Sequence, residues 1–153
     1  MLPIGEAIKQ FWLGQGIKLR RGATSEEFAA FELKHNIRLP DDLREYLTAV
    51  DGFDGSEHWM TDDEVITFLG LDEMKPLSEY WSPDVADANS YFVFADYSLA
   101  AHVYAIRLSS DSSDSNDVVV LYREPVKVAC SFSKFVEGYL ENSEAVLFPE
   151  PLA

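Results

Sequence analysis

Two hydrophobic periods divide the chain. Up to Val50 the apolar positions recur three and four residues apart, as on one face of a helix; from Val65 to Cys130 they alternate or run together, as in strands. Ile4, Ala7, Ile8, Phe11 and Trp12 keep helical spacing, and Gly14 can end that helix. In "TSEEFAAFELKHN", Thr24 and Glu27 match a capping box, in which each side chain satisfies the other residue's free backbone N–H. Phe28 and Phe31 share a face, and Asn36 suits a stop. In "LPDDLREYLTAVDGF", Pro40 fits a first helical turn, where its missing N–H has no partner to lose. Asp41 and Asp42 sit near the positive end of the helix dipole, and Leu43, Tyr46, Leu47 and Val50 make one apolar stripe. Gly52 is placed to close this helix in the left-handed conformation.

From Glu64 onward the stretches "VITFLGL", "YFVFADY" (91–97), "AHVYAIRL" (101–108), "DVVVLYR" (117–123) and "VKVAC" (126–130) are rich in β-branched and aromatic residues. Short links between them predict antiparallel neighbours. "SSDSSDSND" (109–117) reads as a polar hairpin loop. Ser131 then caps a last helix, with Phe132, Phe135, Val136, Tyr139 and Leu140 on one face, and the tail with Pro149 and Pro151 reads as irregular. The expected fold is α+β: N-terminal helices, a central antiparallel sheet of about five strands and a C-terminal helix, in one domain over 1–153.

Composition strengthens this picture. The 153 residues are 47% hydrophobic and 13% aromatic, enough for a real core and unlike a disordered acidic tail. The single cysteine, Cys130, excludes an internal disulfide and fits a reducing compartment. It ends the alternation Val126, Val128, Cys130 and is expected as a small buried hydrophobe. "MLPIGEAIKQFWLGQ" lacks the features of a signal peptide, and no apolar run approaches a membrane span. A soluble cytoplasmic protein is expected.

Charge changes the picture most. The net charge is −15, and it is unevenly spread. Residues 1–50 are neutral, with seven basic and seven acidic side chains, whereas 51–100 hold twelve acids against Lys75 alone. Residues 101–153 add four more net negative charges. Such a field repels nucleic acid and anionic membranes and steers basic partners inward; its simplest role is solubility.

Catalytic and cofactor motifs do not emerge. His35 reads as solvated at a helix end, His102 lies in a strand, and neither they nor His58 pair recognisably with a nucleophile; no G-x-S-x-G elbow is present. Asp54, Glu57, His58, Asp62, Asp63 and Glu64 are dense in possible ligands but lack zinc spacing. The loop with Asp111, Asp114 and Asp117 has Asn116 and Tyr122 where a calcium loop needs glycine and glutamate, and is most simply solvated. There is no Walker or G-x-G-x-x-G motif. Lys18, Arg20 and Arg21 form one small basic cluster, most simply a solvated turn. The expectation is therefore a protein that is not an enzyme, with no catalytic residues, metal or cofactor. Whether it self-associates is open, since Trp12, Trp59 and Trp81 could pack inward or across a dimer.

One stretch looks like a contact surface. "DGFDGSEHWMTDDE" sets Phe53, Trp59 and Met60 among Asp54, Glu57, Asp62, Asp63 and Glu64. Aromatics rimmed by charge resemble an interface core with its rim. Phe53, Asp54, Glu57, Trp59, Asp62, Asp63 and Glu64 are the candidate partner-binding residues. For Phe53 and Trp59 the competing reading is that they pin a loop to the core, while the acids are expected to be exposed.

"FELKHNIRLPDDLREYLTAVDGF" resembles the signature of the SUKH superfamily, of the cell-wall-assembly-regulator-like type. The matching features are Glu32 on a helix, Ile37 in a short apolar link, Leu39-Pro40, Tyr46-Leu47 and Asp51-Gly52, in that order. "ITFLGLDEMKPL", "YFVFADYSLAAHVYAIRL" and "ACSFSKFVEGYL" are similar to later parts of the pattern, extending the resemblance over roughly residues 24–141. Asp51 stands where the family usually has Asn, and Ser98-Leu99-Ala100 replaces a glycine-rich turn after Asp96-Tyr97. The superfamily includes a fungal cell-wall assembly regulator and many bacterial immunity proteins that neutralise polymorphic toxins. The resemblance implies an α+β fold and a non-enzymatic binding role. It points to a protein partner, a basic toxin domain such as a nuclease, or to a regulatory or scaffold module without a toxin.

Overall fold

A computed structural model describes residues 2–54, 61–62, 66–79, 87–98, 101–111, 114–122 and 124–149. Three helices come first: α1 (Ile4–Gly14), α2 (Ser25–His35) and α3 (Asp41–Ala49). Strands β1 (Ile66–Phe68), β2 (Lys75–Pro76), β3 (Tyr91–Tyr97), β4 (His102–Arg107), β5 (Val118–Leu121) and β6 (Pro125–Ala129) form one antiparallel sheet. Its order is β1-β3-β4-β5-β6, with β2 also pairing with β3. Helices α4 (Phe132–Leu140) and α5 (Glu144–Leu147) follow β6. The α+β architecture is therefore as expected. The two-residue β2 and the one-turn α5 are additions, both too short for a periodic pattern to announce them.

The capping signals of α2 and α4 have the forms their chemistry predicts, whereas Pro40 precedes α3 as its extended N-cap rather than entering its first turn. Thr24 and Glu27 make the reciprocal capping box on α2, and Asn36 ends that helix in the left-handed region with φ 52°. Ser131 caps α4 by accepting from the Lys134 N–H. Glu32 accepts the Leu39 N–H at 2.7 Å and an Arg44 N–H at 2.9 Å, so the α2 glutamate positions the Leu39-Pro40 link. Asp42 receives the Ser133 N–H and hydroxyl, which fastens the start of α3 to the start of α4. Ser98, where the resemblance puts a glycine-rich turn, itself takes a positive φ of 49°.

Both faces of the sheet are buried. One packs Phe68, Phe92, Phe94, Tyr104, Ile106, Val118 and Val120 into the main core with the α1, α3 and α4 stripes. The other holds a smaller aliphatic cluster including Val93, Val103, Ala105, Val119 and Leu121. Trp12 is fully buried, with Phe53 and Phe68 each 4.8 Å away between ring centroids. Such aromatic pairs are worth about 0.5–1.5 kcal/mol each beyond burial. The Trp12 question is thereby answered: it packs inward.

Two irregularities in pairing decide which residues face this core. Val93 pairs with Ala105 and Ala95 with Tyr104, so Phe94 is an extra residue and both Phe94 and Ala95 join the aromatic side. Likewise Val119 pairs with Lys127 and Val118 with Ala129, making Val128 an extra residue on β6. That shift puts Ala129 in the core and leaves Cys130 exposed, contrary to the expectation of a buried thiol. His35 is also not simply solvated. Its ring lies between those of Phe31 and Phe92, at 4.5 and 5.0 Å, and burial lowers its pKa.

Candidate protein-interaction site

The acidic stretch leaves the helical layer at Asp51 and enters the sheet at Ile66. Each end is held by a buried aspartate. Asp51 follows Val50, which caps α3 in an extended conformation, so Gly52 does not terminate the helix as the sequence suggested. Its left-handed φ of 77° serves a close approach instead: a Cβ there would lie 2.5 Å from the backbone of Leu69 and Gly70. This contact brings Asp51 against the 3₁₀ turn Leu71–Glu73, where its carboxylate accepts the Leu71 N–H at 2.6 Å.

Arg20 completes that end. Its guanidinium lies 3.5 Å from Asp51, donates to Asp72 at 2.8 Å and reaches Glu73 at 3.3 Å. Its own N–H donates to the Gly52 carbonyl at 3.1 Å. The expected solvated basic turn thus has its central arginine engaged by three carboxylates. Burial pushes the Asp51 pKa up against the opposing pull of the Leu71 N–H and Arg20. The bond to Arg20 holds Asp72 below the usual carboxylate range, and the same bond raises Arg20.

At the other end, Asp62 is 6% exposed, contrary to the expected exposed acid. Its Oδ1 accepts the Ile66 N–H at 2.9 Å, and its own N–H donates to the Ile66 carbonyl at 2.9 Å. Its Oδ2 accepts from the Tyr139 hydroxyl, which in turn accepts the Trp12 indole N–H at 2.7 Å. Burial and the adjacent carboxylate raise the Tyr139 pKa, so this hydroxyl stays a donor. The Trp12–Tyr139–Asp62 chain ties α1, α4 and the acidic stretch together through buried polar atoms.

The predicted contact residues therefore separate. Phe53 is buried at 4% exposure, donates its N–H to Phe68 and packs on Trp12, so it is a core residue rather than an exposed contact. The reason is that its neighbour Gly52 brings the chain against β1's exit, pointing the ring inward. Asp54 is half-buried, with its N–H bonded to the Lys18 carbonyl. Asp62 is a structural anchor for the reason just given. Glu57, Trp59, Asp63 and Glu64 lie outside the described residues, as do His58, Met60 and Trp81. Sequence reasoning missed Arg20 and Tyr139. A basic turn ahead of an acidic stretch hinted at the first; Tyr139 was hidden in an apolar stripe.

Other titratable groups are likewise used structurally. His102 is stacked on Tyr97, lies 3.2 Å from the Tyr104 hydroxyl, and has its pKa lowered by burial. Tyr104 donates to the Leu147 carbonyl, so its oxygen accepts from the histidine ring. Among the described residues, no group of three or more His, Cys, Asp or Glu could hold a metal ion. Among the same residues, no helix is long and apolar enough to cross a membrane.

The model of the SMI1 / KNR4 family (SUKH-1) matches residues 22–138. The chain belongs to this family. The match spans all the punctuation from the α2 capping box to α4 and ends beside Tyr139. No curated protein matches the chain. Within the SUKH-1 frame, the Glu32, Leu39-Pro40 and Asp51-Gly52 positions are explained by backbone fastening.

Proposed function

We propose that this SUKH-1 protein is a cytoplasmic immunity protein that neutralises a bacterial polymorphic toxin by direct, non-enzymatic binding. Its partner is a basic toxin domain such as a nuclease, and the contact surface is the acidic stretch 51–64, in particular Asp54, Glu57, Trp59, Asp63 and Glu64. The reading is carried by one observation: in a chain of this family, the excess negative charge is concentrated in residues 51–100, with twelve acids against one base. A nuclease presents a basic cleft to a polyanion, and an acidic surface can occupy that cleft. Asp51 and Asp62 are buried and bonded to backbone, which leaves the other acids of the stretch as the candidates for contact.

The test is co-expression with the toxin encoded beside the gene. The native chain is expected to rescue growth, and Asp63→Lys with Glu64→Lys to reduce that rescue and weaken binding about tenfold or more. Undiminished rescue by the reversed, folded chain would place the contact elsewhere. The family also favours a second reading, since its description covers SMI1/KNR4-type proteins: a regulatory or scaffold module without a toxin. A toxin gene directly upstream favours the first reading, and an isolated gene the second.

A further inference from the structure

A cavity of about 280 Å³ opens between the end of α1, the end of α4 and Asp62. Phe11, Tyr139, Leu140 and Leu147 form its apolar walls, Gln15 and Asn142 add amides, and two acids line it: Glu141, which is exposed, and Asp62, whose charge is present although its oxygens are already bonded to Ile66 and Tyr139. Phe11 is 41% exposed, and its ring meets Tyr139 edge-on at 5.7 Å. Helices α1 and α4 both end here, and neither carries a basic residue in its last turn. Helix C-termini carry partial negative charge, so the two ends reinforce the field of the carboxylates. Apolar walls with a negative field from several sides fit a long cationic side chain, whose stem lies on carbon and whose head meets the acids.

At about 280 Å³ the cavity lies at the small end of the range for ligand sites, with room for one long side chain. The aromatic walls favour arginine over lysine, because a planar guanidinium stacks on rings and bonds carboxylates through two N–H groups. We propose that this cavity is the anchor pocket for an arginine side chain projecting from the protein partner. The proposal rests on the reading that the chain binds a basic protein, and it extends the contact beyond the stretch that reading invoked, from Asp62 onto the α1 and α4 ends.

The test uses the full chain at low ionic strength and a capped tripeptide with a central arginine, with its norleucine counterpart as control. The Trp12 indole N–H, bonded to Tyr139 in the pocket wall, is followed by NMR. A saturable shift with the arginine peptide is expected, with none from norleucine. Glu141→Lys, at an exposed position, is expected to weaken binding about tenfold, the scale of one favourable charge contact in a partly desolvated site. Phe11→Ala is expected to weaken it as well. No saturable shift, an equal shift from norleucine, or full binding by folded Glu141→Lys would each overturn the pocket. Toxin rescue that persists without arginine binding removes the pocket alone. Arginine binding without any toxin contact removes the immunity reading and leaves the pocket.

Discussion

Asp51 and Asp62 pose one problem and receive two solutions. Both are buried carboxylates bounding the same acidic stretch, and both accept a backbone N–H from the chain that follows, from Leu71 and Ile66 respectively. The Asp51 end adds a charge, through Arg20, which is 29% exposed and shared with Asp72 and Glu73. The Asp62 end adds a hydroxyl, Tyr139, itself backed by the Trp12 indole inside the aromatic core. A partly solvated ion pair is screened by water and contributes little. A buried chain of hydrogen bonds has no solvent to replace a lost member, so each deletion costs more. The two ends should therefore respond unequally to comparable damage.

The largest expected effect breaks the backbone approach at the Asp51 end. Gly52→Ala combines a positive φ with a Cβ 2.5 Å from Leu69 and Gly70, and is expected to cost about 3 kcal/mol or more in urea unfolding. Next, Asp62→Ala strips an acceptor from both the Ile66 N–H and the Tyr139 hydroxyl. The expected loss is about 2–3 kcal/mol, with the Trp12 environment altered in near-UV circular dichroism. Arg20→Met, the matching deletion at the other end, is expected to cost only about 1 kcal/mol, and less at high salt. Equal losses from Asp62→Ala and Arg20→Met would mean that the two ends are held equally firmly.

The finest test is pH. The folded-state pKa of Asp51 is raised by burial above its ordinary 3.8, so between those values the folded chain binds more protons than the unfolded. That contribution to stability is fully present below the ordinary value and is lost as pH rises through the raised one. Asp51→Asn keeps an acceptor for the Leu71 N–H but does not titrate. The stability of the native chain relative to Asp51→Asn is expected to rise as pH falls through this window, measured by paired urea titrations. A difference that is flat with pH would show that Arg20 neutralises the cost of burying Asp51.

Much of this domain was legible in advance because its signals are local. Thr24 and Glu27 are three residues apart and cap each other whatever the rest of the chain does. The β3 range 91–97 matches the run "YFVFADY", because an apolar strand declares itself by composition. The acidic stretch was legible as charge but not as geometry. Asp62 looked like a surface acid, and Phe53 stayed open between contact and core, because nothing nearby in sequence shows that Tyr139, 77 positions after Asp62, or Trp12, 41 positions before Phe53, packs against them. Cys130 was misplaced because period-two counting assumes an unbroken ladder, and the extra Val128 breaks it.

The sequence by itself determined the order of the main helices and strands, the caps of α2 and α4, the family and the uneven charge. Each depends on backbone preferences or composition within a few residues. Tertiary structure alone decided which aspartates are buried, that Arg20 serves three carboxylates, and that Phe11 borders a cavity ending in Asp62 and Glu141. A buried charge must find its partner somewhere in the fold, and chain distance places no limit on where that partner comes from.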